Sequence, residues 1–286
     1  MKTNFGYLAI ILSFCSFSVR TASAVPPPRS IQAVHEFSIY GGGGLSSFRY
    51  QLSPGNVSSS YGGDFGVGYT CIFLEHWGIH TGIGLGLYGA KAVLDNVEIV
   101  TPNLTDSDGD RFDLHVALTD YNETQKAICL NIPLMVHFQT QQEQGFYITG
   151  GVKAGIPFVG KYASQSARFN NRGYYPKYNN WATTQEFAGY GIFDDQRFDG
   201  KLKFDISLMF AFETGMKWRI GRSLSLYTGA YFDYGLNNAA KNRNLPFVVF
   251  SADDSSEFTA NSVQTSLAKK VNIMAVGIKV RLSMKL

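Results

Sequence analysis

The sequence of 286 residues has little charge, few cysteines and no long apolar run in its main part. Charged side chains make up only 16% of it, whereas a soluble domain carries roughly 25%. The net charge of +3, without a basic run, argues against nucleic-acid binding. Three cysteines are too few for a disulfide scaffold. Beyond the N-terminus no stretch of ~20 apolar residues occurs, so the sequence predicts no transmembrane helix.

The N-terminus has the features of an export signal. Lys2 supplies a positive start, residues 7–19 (YLAIILSFCSFSV) form an apolar core, and the triplet ASA ends at Ala24. We therefore predict a secretory signal peptide over residues 1–24, cleaved near Ala24, and a single mature domain over residues 25–286. A membrane anchor is less favoured because the apolar run is too short to span a bilayer.

Most of the mature chain alternates apolar residues with small, polar or charged ones, which is the period of a β-strand. In residues 272–286 the even-numbered positions from Met274 onwards are apolar, and the odd-numbered ones are small or charged. Similar alternation recurs along the chain. It predicts eight strands, over residues 37–44, 65–73, 77–88, 126–138, 145–160, 203–219, 224–233 and 272–286.

The predicted connections alternate in length. Tight turns follow the second, fourth and sixth strands, while the other connections are longer, at approximately 51–60, 91–124, 163–202 and 236–270. This segregation is typical of outer-membrane barrels. The apolar faces also carry no charge, and a cation there would cost ~2–4 kcal/mol near the bilayer midplane.

The predicted fold class is therefore all-β: an eight-stranded antiparallel transmembrane β-barrel with short periplasmic turns and long extracellular loops. The predicted location is the outer membrane of a Gram-negative cell. Alternation does not by itself tell the inside of a barrel from its outside. A soluble secreted barrel with its apolar face inward stays open as the alternative.

Two neighbouring segments carry a family resemblance. Residues 129–138 (CLNIPLMVHF) and 145–158 (GFYITGGVKAGIPF) resemble paired strands of the small outer-membrane β-barrel proteins common in Bacteroidetes, of the PorT-like and OmpA-barrel-like kind. The resemblance implies an integral membrane protein that contacts outer-membrane lipid and the outer-membrane assembly machinery. Some members of that family serve protein secretion or surface assembly, so the resemblance implies a role of this kind. The chain departs from the common pattern because it ends in Leu286 instead of an aromatic residue.

The inward face of the predicted barrel carries charges, which are costly unless they are paired. An eight-stranded barrel is just wide enough for its own side chains to fill it. We expect Glu36 to meet Lys279 or Arg281, and Glu213 to meet Lys153. Such a network would plug the barrel, with a gate or narrow ion path as the alternative. The predicted interior charge network consists of Glu36, Lys153, Glu213, Asp233, Lys279 and Arg281.

The second long loop is acidic, with Asp106, Asp108, Asp110 and Asp113 in TDSDGDRFD. Carboxylates at this spacing could bind calcium, but an EF-hand requires Gly where this loop has Arg111. We predict a solvated loop and leave calcium binding open. No histidine spacing indicates a metal site. We therefore predict no metal, no cofactor and no enzyme, with a lipid-modifying enzyme as the least favoured function.

Residues 168–193 are rich in Tyr, Asn, Phe and Gly, residue types typical of binding surfaces. The candidate binding residues are Tyr174, Tyr175, Tyr178 and Trp181, for a protein or glycan partner. Packing of the loop on its own aromatic side chains is the other interpretation. The predicted function is a non-enzymatic structural or interaction scaffold that displays surface loops. A narrow or gated pore for small solutes or ions is the alternative.

Overall fold

The computed structural model describes residues 33–106, 108–141, 143–241, 244–250 and 257–286. The predicted signal peptide lies outside these residues. The described chain is built from strands, with one 3-10 turn (Glu186–Ala188) and one helical turn, α1 (Val263–Ser266). No described helix has the length and apolar character needed to span a bilayer. The strands are β1 (Val34–Arg49), β2 (Asn56–Ile72), β3 (Trp77–Leu94), β4 (Val97–Thr105), β5 (Arg111–Thr119), β6 (Tyr121–Gln139), β7 (Gly145–Tyr175), β8 (Asn180–Ala182), β9 (Gly191–Lys201), β10 (Ser207–Arg219), β11 (Leu224–Gly235), β12 (Val248–Phe250), β13 (Phe258–Ala260) and β14 (Asn272–Lys285).

Eight of the strands pair in an antiparallel ring. The order is β1, β2, β3, β6, β7, β10, β11 and β14, and β14 pairs back with β1. The closing pair runs from Glu36 opposite Lys285 to Arg49 opposite Asn272. These eight strands are the eight predicted from the alternation. The prediction of an all-β chain with a ring of eight antiparallel strands is confirmed.

The ring has two unlike ends. At one end, here called the turn end, lie the short connections that follow β2, β6 and β10, together with both ends of the described chain. The amide of Leu286 donates to the carbonyl of His35 there. Aromatic side chains are exposed at this end, among them Trp77, Phe146 and Trp218. The other end, here called the loop end, carries the remaining connections.

The two faces of the ring differ sharply in character. The outward face is apolar, and neighbouring residues on one strand show the contrast: Ile278 is 72% exposed and Lys279 only 6%. A soluble barrel would bury its apolar face, so this arrangement argues against that alternative. Further outward apolar residues are Ile39, Val67, Ile83, Leu134, Val136, Val152, Phe158, Leu208, Phe210 and Val280.

The predicted loops are partly wrong. The segment over residues 91–124 contains β4 and β5, and the segment over residues 163–202 contains the end of β7 as well as β8 and β9. These strands extend the sheet beyond the ring through pairings of β7 with β5 and β9. β5 alternates as the ring strands do, but its apolar side chains are buried in the core of the loop end instead of facing outwards.

Two further boundaries differ from the prediction. The first connection is short, since β1 ends at Arg49 and β2 begins at Asn56. The predicted sixth strand begins at Ser207 instead of residue 203, because Phe204 and Asp205 bond to Ala240 and Ala239 in the last connection.

An apolar core fills the loop end. Its buried members include Leu94, Leu118, Phe169 and Phe247.

Candidate functional site

A chain of ion pairs crosses the inside of the ring. Lys153 Nζ lies 2.7 Å from Asp233 Oδ2 and 3.3 Å from Asp64 Oδ2. Lys279 Nζ lies 2.9 Å from the same Asp64 oxygen and 3.8 Å from Glu213 Oε2. Arg281 Nη2 ends the chain by donating to both oxygens of Glu213, at 2.8 and 2.7 Å. Acids and bases alternate along it, so each buried charge lies beside an opposite one.

A separate pair lies towards the turn end. Lys217 Nζ donates to Glu36 Oε1 at 2.7 Å, and Tyr227 Oη donates to Glu36 Oε2 at 2.7 Å. Lys217 also donates to Gln139 Oε1 at 3.3 Å. With this pair included, four acids and four bases of the described residues are buried inside the ring. Their formal charges cancel, as is needed where desolvation makes an unpaired charge costly.

Tyrosine side chains fill the space around these charges. Lys279 Nζ lies 4.7 Å from the ring centroid of Tyr40 and 5.0 Å from that of Tyr231. The Arg281 guanidinium lies 5.4 Å from the Tyr227 ring. Contacts of this geometry stabilise a cation through the ring quadrupole. The cavity left among the residues of the ion-pair chain is only about 10 Å³, roughly the minimum for one water.

All six residues of the predicted network are therefore buried inside the ring, but the expected pairs are wrong. Glu36 pairs with Lys217 instead of Lys279 or Arg281, and Glu213 pairs with Arg281 instead of Lys153. Asp64 and Lys217 are not among the residues predicted for the network, although strand alternation puts both on the inward face. Alternation predicts which face a side chain occupies, whereas the partner depends on how far each strand is shifted along its neighbour.

One buried acid at the loop end, Glu123, forms no ion pair with any residue that the structure describes. Glu123 accepts hydrogen bonds from Tyr121 Oη at 2.6 Å and Gln125 Nε2 at 2.6 Å. It also accepts from Ser262 Oγ and from the amide of Val263, at the start of α1. Burial raises the pKa of Glu123, and these hydrogen bonds act in the opposite direction. The contacts fasten the last connection over the loop end. Glu123 is not among the predicted site residues because it lies in a segment predicted to be a loop, residues 91–124.

Exposed and half-buried aromatic side chains form a patch on the strands beyond the ring and on the turn between β7 and β8. This aromatic patch consists of Tyr174, Tyr178, Trp181 and His115. The rings of Tyr174 and His115 lie 4.9 and 4.8 Å from that of Trp181. Trp181 is 43% exposed and Tyr178 is 56% exposed. Tyr175 does not belong to the patch, because its ring stacks on Phe112 in the apolar core.

Charged groups surround the aromatic patch. Arg172 Nη2 lies 2.6 Å from Glu98 Oε1, and its guanidinium lies 5.4 Å from the Trp181 ring. Asp110 accepts from Lys177 Nζ at 2.8 Å and from Tyr178 Oη at 2.7 Å. These two hydrogen bonds hold the pKa of Asp110 below its usual value. The patch thus presents flat ring faces beside hydrogen-bonding groups that are already oriented.

The acidic loop forms its own turn. Asp106 Oδ1 accepts from the amides of Asp108 and Asp110, at 3.0 and 2.9 Å. Asp113 Oδ1 accepts from the amide of Asn103 at 2.9 Å. Within the described ranges no group of three or more His, Cys, Asp or Glu side chains could hold a metal ion. The carboxylates of Asp106, Asp110 and Asp113 each accept separate local hydrogen bonds.

A family model decides the relationship of this chain to known proteins. The model described as "Outer membrane protein beta-barrel domain" matches residues 27–241, about three quarters of the chain. The chain belongs to this family. Membership of the outer membrane protein β-barrel family agrees with the ring of eight strands and its exposed apolar face. Together they indicate location in the outer membrane, as predicted.

Solved outer-membrane structures show a distant likeness. Ail, the attachment invasion locus protein of Yersinia pestis, is 10% identical with a TM-score of 0.30, over 87% of this chain and 99% of that one. A major outer membrane protein from Thermus thermophilus is 12% identical with a TM-score of 0.38, over 88% and 99%. OprG from Pseudomonas aeruginosa is 8% identical with a TM-score of 0.32, over 89% and 95%. These values are too low to support a conclusion about function.

The family assignment extends only to the outer membrane protein β-barrel domain. No curated protein sequence matches the chain. The narrower resemblance to PorT-like and OmpA-barrel-like proteins of Bacteroidetes stays a prediction, and so does the partner of the aromatic patch.

Proposed function

We propose that this protein of the outer membrane protein β-barrel family is a non-enzymatic interaction scaffold. Its eight-stranded barrel spans the membrane, with the turn end in the periplasm and the loop end outside the cell. The loop end displays the aromatic patch to a protein or glycan partner, in a role that assists secretion or surface assembly. The observation that carries the proposal is a charge-paired interior beneath an ordered, aromatic-rich loop end.

The interior supports a scaffold better than a pore. Opening a path through the ring would separate pairs such as Lys153–Asp233 and Glu213–Arg281, each buried on both sides. Breaking one buried pair costs about 3–5 kcal/mol when a partner is left unpaired. A gated pore would therefore need an energy source or a ligand to open it.

The loop end supports a binding role. Strands β4, β5, β8 and β9 hold the aromatic patch on a packed sheet, so a partner would not have to order a flexible loop. Tyr and Trp offer large rigid contact area at low entropic cost. The inward histidines do not suggest catalysis, since His80 and His137 hydrogen-bond to Thr70 and Thr149.

Binding of outer-membrane vesicles from the source bacterium to the immobilised refolded protein tests the proposed role. We expect Trp181→Ala/Tyr178→Ala to weaken vesicle binding at least tenfold, because central aromatic contacts each contribute about 2 kcal/mol or more. Phe187→Ala is the matched control, since Phe187 is 77% exposed on the same extension but lies outside the aromatic patch. Equal vesicle binding by all three proteins would contradict the proposal.

Single-channel conductance in a planar bilayer tests the pore alternative. Heat-modifiable gel migration serves as the folding control. We expect a folded protein without steady openings, because the ion-pair chain fills the interior. Reproducible openings would move transport ahead of the scaffold role.

A further inference from the structure

Three lysines stand directly opposite one another near the loop end, on the ring strands β6 and β7 and on the neighbouring strand β9. Lys126 on β6 is paired in register with Lys161 on β7, and Lys161 is paired with Lys201 on β9. All three are exposed. Lys91 on β3 flanks the row, since its register partner Thr124 lies two residues from Lys126. We call Lys126, Lys161 and Lys201 the lysine row.

The lysine row is unfavourable in isolation. Paired strands lie about 4.7–4.9 Å apart, and like charges directly opposite each other destabilise a sheet. None of the three ammonium groups, nor the carboxylate of Asp199 diagonal to Lys161, forms an ion pair in the part of the chain that the structure describes. A row of this kind indicates a site for an anionic ligand, whose negative charge would offset the positive charges of the three lysines.

The position of the lysine row between the turn end and the loop end indicates which kind of anionic ligand it binds. From Lys126 towards the turn end, the next residues on the outward face are Ile128 and Leu130. On β7 a bulge opposite Ile128 and Cys129 leaves Phe158 unpaired, and Phe158 is 59% exposed. From Lys126 towards the loop end, the next outward residues are polar, namely Thr124 and Asn122. The row therefore lies where the lipid-facing apolar band ends, which is the level of the lipid headgroups.

We propose that the lysine row binds the phosphate groups of a phosphorylated lipid in the leaflet nearest the loop end. Ammonium groups form charge-assisted hydrogen bonds to phosphate oxygens. The outward apolar residues below the row would contact the acyl chains of the same lipid. This site goes beyond general contact with the bilayer, because it selects for a charged headgroup.

Native mass spectrometry of the refolded full chain in neutral detergent provides the test. The probe is bisphosphorylated lipid A, compared with the same lipid after enzymatic removal of its phosphates. We expect the wild-type protein to retain the phosphorylated lipid and to lose the dephosphorylated one. Lys126→Gln/Lys161→Gln/Lys201→Gln should weaken binding on the order of a hundredfold, since each basic side chain near a charged lipid surface contributes about fivefold.

Three controls make the test specific. Lys126→Arg/Lys161→Arg/Lys201→Arg keeps the charges and should bind like the wild type. Arg219→Gln/Arg222→Gln/Lys285→Gln removes the same charge at the turn end and should also bind normally. Inorganic phosphate added as a competitor should have little effect if the acyl chains contribute to binding, and full displacement by it would instead indicate a site for free phosphate.

Stability supplies an independent readout. In neutral detergent the triple Gln variant should melt no lower than the wild type, because it relieves repulsion. Lipid A should raise the melting temperature of the wild type but not that of the triple Gln variant. The single variant Lys161→Gln, at the centre of the row, repeats the test if the triple variant fails to fold. Unchanged lipid A binding by the folded Gln variants, or equal binding of both lipids by the wild type, would overturn the proposal.

Discussion

Each charged residue inside the ring is neutralised by one or two specific neighbours of opposite charge. Glu213 is the clearest case, because Arg281 donates to both of its oxygens and Lys279 lies 3.8 Å away. Alternation along β10 predicts that Glu213 points inward. It does not predict that Arg281 is its partner, because β11 lies between β10 and β14 and the contact depends on the register of both pairings.

Replacing Glu213 should therefore be costly. We expect Glu213→Gln to lower the free energy of unfolding by about 3–5 kcal/mol, because Arg281 would remain buried without a counter-charge. Urea unfolding in micelles measures the change. Glu143→Gln is the control, since Glu143 forms an exposed ion pair with Arg219, and exposed pairs contribute about 0–1 kcal/mol.

A double variant separates the loss of the pair from the burial of a lone charge. Glu213→Gln/Arg281→Leu removes both charges and should recover part of the stability lost in Glu213→Gln. If Glu213→Gln is as stable as the wild type, the pairing account of the interior is wrong.

At the level of strands, the same alternation serves two environments. In the ring it puts apolar residues outside, whereas in β5 it puts Leu114, Val116 and Leu118 into the core of the loop end. The pattern predicts a strand in both cases. It does not show which strands leave the ring, because that depends on β7 extending to Tyr175 and pairing with β5 and β9.

Glu123 fastens the last connection to β6, which makes that connection sensitive to a single side chain. We expect Glu123→Ala to expose α1, because Tyr121, Gln125, Ser262 and the Val263 amide would lose their acceptor at about 1–3 kcal/mol for each donor left buried. Hydrogen exchange of the Val263 and Leu267 amides measures the loss of protection. Glu186→Ala, at an exposed acid, should leave both amides protected.

The pH dependence of this contact has a defined sign. Because burial raises the pKa of Glu123, the folded protein binds its proton more readily than the unfolded chain does. Its contribution to stability is complete below the unfolded pKa and is lost as the pH rises through the folded pKa. The protection factors of α1 should therefore fall with rising pH in the wild type and change less in Glu123→Gln. Identical pH profiles for the two proteins would count against this assignment.

For the whole molecule, the decisive property is which face of the ring points outward. Ile278 is the most exposed of the outward apolar residues on β14 and lies near the middle of that strand. We expect Ile278→Lys to lower the free energy of unfolding in a phospholipid bilayer by ~2–4 kcal/mol. Urea titration monitored by tryptophan fluorescence measures it.

The same substitution beyond the ring provides the control. Ile192 on β9 is 55% exposed, but its neighbours are loop-end strands, so Ile192→Lys should change stability by no more than about 0.5 kcal/mol. Equal effects at the two positions would mean that the outward face of the ring does not contact lipid.

The sequence by itself determined the strands and the two faces of each one. A period of two is local, so the eight ring strands and the inward parity of Lys153, Glu213 and Lys279 follow from short segments. Only the tertiary structure decided which face is inside, which charges pair and how the loop end is built. Those features depend on closure of β1 against β14 and on register shifts between strands far apart in the chain, and no short segment of sequence contains that information.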